Sequence, residues 1–361
     1  SMSVKSFFEG GGAKATAPSG SQTRAERQQA ELPWVEKYRP KTVEDVSHQD
    51  EVVRTLSKSI ETGNLPHLLF YGPPGTGKTS TILAIARQLY GPQTFRRRIL
   101  ELNASDERGI NIVRTKIKTF SQVMASTEVV PGYPCPPYKL VILDEADSMT
   151  ADAQAALRRT MEQYSTSTRF CLICNYVTRI IEPLASRCAK FRFHLLPEAA
   201  MRGRLDHIAQ EEGFQVSDDI KAQLTIVSGG DMRRAITLLQ SAYRLEGTSL
   251  SADTIVEISG RVPDAVVDGF LASCRKPEFA AIEKATEDFV CEAYAATQFI
   301  DQMVDKIVAD STMNDVQKAE IALAMAEADQ RLVDGADEHL QLLNLAAIIQ
   351  QQMGMDAMEV D

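Results

Sequence analysis

The first candidate for chemistry is the segment GPPGTGKTS at residues 72–80, which fits the pattern G-x-x-x-x-G-K-[ST] of a phosphate-binding loop. An apolar, strand-like run precedes it and a helical pattern follows it, as such a loop requires. Glycines let backbone N–H groups turn toward phosphate oxygens, and the helix N-terminus adds a favourable dipole. Lys78 is predicted to reach the β- and γ-phosphates of ATP, and the Thr79 hydroxyl to coordinate Mg²⁺. The predicted nucleotide contacts in this loop are Gly72, Pro73, Pro74, Gly75, Thr76, Gly77, Lys78, Thr79 and Ser80.

Polar residues at the ends of two further apolar runs are the next candidates. In KLVILDE, Asp144 is predicted to hold the Mg²⁺ ion and Glu145 to polarise an attacking water. Two adjacent carboxylates at a buried strand end repel each other unless a cation or a function keeps them there, and a solvated pair is the structural alternative. Asn175, after FCLIC, is predicted to hydrogen-bond the water or the γ-phosphate, with a turn residue as the alternative. A Glu that follows the Asp favours hydrolysis over a switch GTPase or a small-molecule kinase.

The elements that must position these residues alternate between strands and helices. Such alternation predicts an α/β fold with a mostly parallel sheet covered on both faces, which gathers ligands at the carboxyl ends of its strands. One predicted helix covers residues 78–90 and is closed by Gly91-Pro92, and another covers residues 153–162. The predicted strands are HLLFY (67–71), RILEL (98–102), KLVILD (139–144), RFCLIC (169–174) and KFRFHL (190–195).

After Pro197 the strand pattern fades and helical patterns continue. Asp231 is the predicted N-cap of the helix MRRAITLLQSAYRL, and Gly247 follows its end. Residues at the start of the chain are rich in Gly, Ala, Ser, Gln and charge, which is typical of a disordered tail. The predicted organisation is a tail at 1–31, an α/β domain at 32–196, a small helical domain at 197–261 and a helical C-terminal domain at 262–355.

Charge and cysteine content narrow the class of protein. The chain of 361 residues carries a net charge of −10, but residues 251–361 hold 7 Lys and Arg against 22 Asp and Glu, so the rest is mildly basic. Nucleic-acid binding is therefore permitted, because local basic clusters decide it.

The six cysteines are scattered and are predicted to be reduced thiols of an intracellular protein. Cys171 and Cys174, three apart in a strand, would face opposite sides and are not expected to bind zinc. No apolar run is long enough to predict a signal peptide or a membrane span.

Taken together, the motifs resemble the small subunits of the replication factor C clamp loader, a family of AAA+ ATPases. The resemblance covers about residues 33–355 and implies an AAA+ α/β domain, a helical lid domain and an all-α collar domain that serves oligomerisation. It implies nuclear localisation, as well as other replication factor C subunits, a sliding clamp and primer–template DNA as partners. The segments that carry it are PWVEKYRPK (33–41), GPPGTGKTS (72–80), LELNASDERGI (100–110), ILDEADSMTADAQAALRRTME (142–162), ICNY (173–176), IIEPLASRC (180–188) and GDMRRAI (230–236).

The resemblance assigns further residues one by one. Arg187, in Ser-Arg-Cys, would act in trans as an arginine finger in the neighbouring subunit's ATP site, whereas an Arg that pairs a local acid or caps a helix is the structural alternative. Arg233 would reach ATP from the lid as a sensor, and Asn175 would be the first sensor. Val35 and Ser47 would line the adenine and ribose end of the site.

Contacts with partners follow from the same resemblance. DNA phosphates would be tracked by basic residues of the α/β domain, with a solvated basic face as the equal alternative; the candidates are Arg108, Arg114, Lys118 and Arg159. Val4 and the Phe7-Phe8 pair have the spacing of peptides that dock on sliding clamps, but the expected Gln is absent, so an unbound tail is the alternative. We therefore expect an ATP hydrolase that loads a sliding clamp onto primed DNA. Another AAA+ machine, such as a branch-migration helicase or an unfoldase, and a nucleotide-binding scaffold that does not hydrolyse ATP are the alternatives.

Overall fold

The computed structural model describes four stretches of the chain: residues 32–42, 49–105, 110–123 and 130–354. Contacts divide the chain into two units, one that ends at Arg39 and one that begins at Pro40. No helix among the described residues is long and apolar enough to cross a membrane. The predicted tail at 1–31, which includes the Phe7-Phe8 pair, lies outside the described residues.

A five-stranded parallel sheet forms the α/β part of the second unit. Its strand order is β2-β3-β4-β1-β5, and every pair of neighbours is parallel. The predicted α/β class is thereby confirmed, with strand bounds that differ from the predicted ones by at most three residues. The strands are β1 (Leu68–Tyr71), β2 (Ile99–Asn103), β3 (Lys139–Asp144), β4 (Thr168–Cys174) and β5 (Ala189–Arg192).

Register brings the carboxyl ends of the central strands together. Tyr71, the last residue of β1, is paired with Cys174, the last residue of β4. Asp144, the last residue of β3, is paired with Asn103 at the end of β2, and Leu143 is paired with Leu172 of β4. The loops that follow β1, β3 and β4 therefore begin at one edge of the sheet.

Each face of the sheet is covered by its own buried cluster. Leu68, Phe70 and Ile142 belong to the cluster on one face, and Leu69 and Leu143 belong to the cluster on the other. This separation follows from the two-residue period of a strand.

The cysteines of β4 obey the same alternation. Cys171 lies in the first cluster and Cys174 in the second, as the sequence predicted. Both thiols are free, and burial raises the pKa of Cys174 to about 12. Among the described residues no group of three or more His, Cys, Asp or Glu side chains is arranged to hold a metal ion.

Helices connect and flank the strands. The helix after β1 begins at Lys78 and is interrupted at Gly91, where φ of +69° and ψ of 166° are not helical. The predicted end at Gly91-Pro92 is therefore confirmed as a kink, after which helical residues continue to Arg98. The helices up to β5 are α1 (Trp34–Lys37), α2 (Asp50–Glu61), α3 (Lys78–Arg98), α4 (Ile110–Gln122), α5 (Ala151–Gln163) and α6 (Glu182–Ala185).

The chain after β5 is helical throughout its described part. Asp231 caps α9 because its side chain accepts hydrogen bonds from the N–H groups of Arg233 and Arg234, and Gly247 ends that helix, as predicted. The remaining helices are α7 (Glu198–Glu211), α8 (Asp218–Ser228), α9 (Met232–Glu246), α10 (Ala252–Ser259), α11 (Asp264–Cys274), α12 (Phe279–Cys291), α13 (Ala296–Ala309), α14 (Asp315–Val333) and α15 (Glu338–Gly354).

The C-terminal helices share a buried cluster of their own. It begins at Val262, includes Phe270, Phe289 and Phe299, and extends to Ile349. Phe270 and Phe299 pack edge to face, with their ring centroids 4.9 Å apart. A separate core here supports the predicted C-terminal domain, whose boundaries at 262–355 stay a prediction, as do those at 196–197.

Candidate nucleotide site

The phosphate loop connects β1 to α3 and depends on glycines with positive φ. Gly72, Gly75 and Gly77 have φ of +144°, +68° and +92°, which L side chains rarely adopt. A Cβ on Gly72 would lie 2.2 Å from the carbonyl oxygen of Phe193, so the loop also needs the absence of a side chain there. The sequence pattern thus produces a tight, largely buried turn that leads directly into a helix N-terminus.

Lys78 lies under this loop and links it to β4. Its Nζ donates to the carbonyl oxygens of Gly72 and Pro73 at 2.7 Å each, and to Oδ1 of Asn175 at 3.1 Å. Burial lowers the pKa of Lys78, and the Asp144 carboxylate acts in the opposite direction. The predicted phosphate ligand and the predicted first sensor therefore touch each other.

Thr79 and Asp144 form the candidate Mg²⁺ site. The Thr79 hydroxyl donates to Oδ2 of Asp144 at 2.7 Å, which joins the start of α3 to the end of β3. A hydroxyl and a carboxylate are hard oxygen donors of the kind that Mg²⁺ takes, usually with substrate phosphates and water. The donor set therefore fits the predicted ion.

Glu145 projects from a strained position beside this pair. It has φ of +54°, which is uncommon for a residue other than Gly, and it is exposed. The N–H of Glu145 donates to Oδ1 of Asp144 at 2.9 Å, and the Glu145 carbonyl oxygen accepts from the Ser148 hydroxyl at 2.7 Å. These bonds hold the backbone in the left-handed region while the carboxylate stays accessible to water.

Asp147 is a site residue that the sequence analysis missed. Its Oδ2 accepts from the N–H groups of Asn175 and Tyr176, both at 3.2 Å, and so fixes the turn after β4. Asp147 is the third carboxylate of the segment DEAD, at 144–147, which was the available signal. The sequence could not show that this carboxylate bonds to backbone across two strands.

Arg233 lies in the first turn of helix α9, and the N-cap of that helix, Asp231, approaches the phosphate loop. A Cβ built on Gly75 would lie 1.8 Å from Oδ1 of Asp231. The positive charge of Arg233 contributes to lowering the pKa of Lys78, after the larger effect of burial. The predicted lid sensor therefore lies on the helix whose cap touches the loop.

Arg187 is bound within its own chain in this structure. Its Nη2 pairs with Oε1 of Glu162 at 2.5 Å, and its Nη1 donates to the carbonyl oxygen of Pro183 at 2.6 Å. The local acid that the sequence left open as a partner is Glu162 on α5. The side chain is 35% exposed, so it remains accessible, and its role in trans stays a prediction.

The other predicted site residues lie apart or outside the described part. Val35 lies in α1, within the first unit, and Ser47 and Arg108 lie outside the described residues. Arg114 is on α4, but its side chain is outside the description; Lys118 of α4 and Arg159 of α5 are exposed. Helices α4 and α5 pack against each other, so Lys118 and Arg159 belong to neighbouring elements.

Known protein families match three successive parts of the chain: the α/β part, the small helical part and the C-terminal helical part. The family of ATPases associated with various cellular activities (AAA) matches residues 68–198. The RCF1/5-like AAA+ ATPase lid domain matches residues 203–244, and the replication factor C C-terminal domain matches residues 262–348. The fold and the site thus define an AAA ATPase that carries a lid and a helical C-terminal domain.

Whole-chain relatives specify the family. Replication factor C subunit 2 of Oryza sativa subsp. japonica is 58% identical over an alignment that spans 93% of that protein and 87% of this chain. Replication factor C subunit 4 of Homo sapiens is 53% identical over an alignment that spans 94% of that protein and 95% of this chain. The replication factor C small subunit of Archaeoglobus fulgidus is 44% identical over an alignment that spans 94% of that protein and 86% of this chain. The chain belongs to the replication factor C small-subunit family.

Family membership confirms the predicted function. The chain is an ATP-binding, ATP-hydrolysing subunit of a clamp loader in DNA replication, and its partners include other replication factor C subunits. Replication factor C subunits numbered two and four are both among these relatives. The alternatives of another AAA+ machine or of a scaffold without hydrolysis have no comparable support.

Proposed function

We propose that the described site binds ATP with Mg²⁺ and hydrolyses it, and that the energy of binding and hydrolysis drives the gripping and release of a sliding clamp on primer–template DNA in the nucleus. The observation that carries the proposal is the convergence of three strand ends. Lys78, after β1, contacts Asn175, after β4, at 3.1 Å, and Thr79 contacts Asp144, at the end of β3, at 2.7 Å.

Each residue has a task that follows from its surroundings. The backbone N–H groups of 72–80 and the Lys78 ammonium would neutralise phosphate charge. Thr79 and Asp144 would hold Mg²⁺, which would neutralise phosphate charge. The exposed Glu145 carboxylate would accept a proton from the attacking water.

Two sensors would report the state of the nucleotide. The backbone N–H of Asn175 donates to Asp147 at 3.2 Å, and this bond holds the Asn175 backbone in place. The Asn175 side chain, which contacts Lys78, is then free to exchange Lys78 for a phosphate or a water. Arg233 lies in the first turn of α9, whose capping carboxylate on Asp231 approaches Gly75, so a change in the loop would shift the lid. This arrangement supports a coupling between the state of the bound nucleotide and the conformation of the lid.

Partner contacts complete the proposed cycle. Arg187 would enter the ATP site of the neighbouring subunit, so that hydrolysis there depends on assembly, and Lys118 and Arg159 would contact DNA phosphates together with Arg108 and Arg114. Primed DNA would align the fingers, and hydrolysis would then release a closed clamp. The family relationship supports the clamp and the DNA as partners.

Glu145→Gln in the assembled complex tests the proposal. The amide keeps the size of the side chain but cannot accept a proton, so ATP binding at this site should persist while single-turnover hydrolysis falls by at least about 100-fold. Clamp and primed DNA should then be bound but not released. Glu257→Gln, an exposed position on α10, is the matched control and should change neither quantity. Hydrolysis at the normal rate in Glu145→Gln would exclude the assigned base.

A further inference from the structure

Two arginines compete for one carboxylate oxygen beside the proposed finger. Oε1 of Glu162 pairs with Nε of Arg158 at 3.1 Å and with Nη2 of Arg187 at 2.5 Å. Arg158 lies one helical turn before Glu162 on α5, whereas Arg187 comes from the segment after α6. We call these three residues the Glu162 cluster.

The cluster turns the Arg187 guanidinium toward its own chain. One terminal nitrogen, Nη2, is on Glu162, and the other, Nη1, is on the Pro183 carbonyl oxygen at 2.6 Å. A guanidinium binds a phosphate through the same outward N–H groups, usually two at a time. Arg187 therefore has to leave at least one of these bonds before it can bind phosphate in another subunit.

Exposure makes this exchange possible. The side chains of Arg187 and Glu162 are 35% and 43% exposed, and exposed ion pairs are weak. The phosphates of ATP carry more charge than one carboxylate and accept shorter, stronger hydrogen bonds from a guanidinium. An approaching ATP site can thus take Arg187 from Glu162.

We propose that Glu162 is a latch that holds Arg187 on its own chain until the phosphates of a neighbouring subunit's ATP displace it. Glu162 is a positioning residue here, because it acts through Arg187 and not on the reacting atoms. Arg158 weakens the latch, since it draws on the same oxygen. The inference rests on the proposed role of Arg187 in trans.

The position of Glu162 ties the latch to the proposed DNA surface. Arg159, a DNA candidate, is three residues before Glu162 on α5. Gln154, buried on the same helix, bonds to the Arg179 carbonyl oxygen at 3.0 Å and to the Ile181 N–H at 2.8 Å, so α5 and the segment before Arg187 are joined as one piece. A shift of α5 when DNA binds would change the geometry of the latch, so the latch should matter most without DNA.

The test uses Glu162→Gln in the assembled complex, with hydrolysis in this chain's own site prevented by Glu145→Gln. Single-turnover hydrolysis at the neighbouring site should rise about two- to fivefold without DNA, the range expected for loss of an exposed ion pair, and should be unchanged with primed DNA. Arg158→Gln, which frees Oε1 for Arg187, is the matched variant and should lower the rate without DNA. An unchanged or lowered rate in Glu162→Gln would overturn the latch.

Arg187→Ala separates failure of the latch from failure of the proposed function. If Arg187→Ala leaves the neighbour's hydrolysis intact, the role in trans is wrong and the latch with it. If Arg187→Ala stops that hydrolysis but Glu162→Gln fails to raise it, only the latch is wrong. Glu162→Gln combined with Arg187→Ala should equal Arg187→Ala alone, and any additional rise in the pair would contradict action through Arg187. Equal midpoints of thermal unfolding would show that the single variants are folded.

Discussion

Gly75 is a residue at which the phosphate loop approaches the N-cap of helix α9. Its φ of +68° strains any L side chain, and a Cβ there would lie 1.8 Å from Oδ1 of Asp231. Gly75→Ala should therefore cost about 1 kcal/mol of stability from the backbone alone and also displace the cap of α9. We expect ATP affinity to fall about tenfold, which corresponds to about 1.4 kcal/mol.

Gly229→Ala is the control that separates strain from contact. Gly229 has φ of +58°, but no atom lies within 4 Å of its added Cβ. Its substitution should lower the free energy of unfolding by a similar ~1 kcal/mol and leave ATP affinity unchanged. Calorimetric ATP titration and chemical unfolding of both variants measure the two quantities. If both variants lose ATP affinity equally, the contact with Asp231 has no part in nucleotide binding.

His67 makes the stability of the chain depend on pH. Its Nδ1 accepts from the N–H of Phe170 at 3.2 Å, and burial, aided by the charge of Arg169, lowers the pKa of His67 from 6.5 to about 4. Below pH about 6.5 the unfolded chain binds a proton that the folded chain does not bind until about pH 4. Stability is therefore complete above pH 6.5 and is lost as the pH falls toward 4, by up to about 3 kcal/mol.

His67→Asn tests this dependence, because an amide oxygen can accept from Phe170 and does not titrate. Urea unfolding between pH 7 and pH 4.5 should show a smaller fall in the free energy of unfolding for His67→Asn than for the unchanged chain. Identical pH dependence in His67→Asn and the unchanged chain would show that His67 is not the titrating group.

At the scale of elements, the alternation of strands and helices predicted the parallel sheet well. Strands such as β3 at 139–144 carry strong apolar runs, so burial on both faces was legible from the sequence. The approach of Asp231 to Gly75 could not be predicted from the sequence, because the two residues are 156 positions apart and only the packing of separate elements brings them together. Arg187 shows the same limit: its partner Glu162 lies on another helix, and only the fold brings the two together.

Helix α9 connects its own stability to the ATP site through its cap. The Asp231 side chain accepts from the N–H groups of Arg233 and Arg234 at 2.8 and 3.1 Å. Asp231→Ala should therefore cost about 1 kcal/mol of stability and loosen the turn that carries Arg233, which weakens ATP binding. Ser217→Ala removes the cap of α8, whose hydroxyl accepts from Ile220, and should cost a similar amount without a change in ATP affinity.

Fluorescent ATP titration and chemical unfolding of these two cap variants distinguish a local from a remote effect. A loss of ATP affinity in Asp231→Ala alone would support the coupling between the cap and the loop. Equal ATP affinity in Asp231→Ala and the unchanged chain would show that the cap of α9 does not contribute to nucleotide binding.

At the scale of the whole molecule, charge is divided along the chain. Residues 251–361 hold 22 acidic against 7 basic residues, whereas Lys118 and Arg159 lie in the mildly basic remainder, on helices that pack together. A DNA phosphate surface is therefore more favourable on the α/β part than on the C-terminal helices. Contacts of this kind position the duplex without reading its sequence.

Lys118→Ala and Arg159→Ala test where the assembled complex meets DNA. Each should weaken binding of primed DNA to a similar extent for every sequence and reduce the slope of log affinity against log salt by about 1, because one phosphate contact is lost. Lys284→Ala, an exposed lysine of α12 in the acidic third, is the matched control and should leave the slope unchanged. Fluorescence anisotropy over a range of salt concentrations measures these slopes. A reduced slope in Lys284→Ala but not in Lys118→Ala or Arg159→Ala would move the DNA surface to the C-terminal helices, despite their charge.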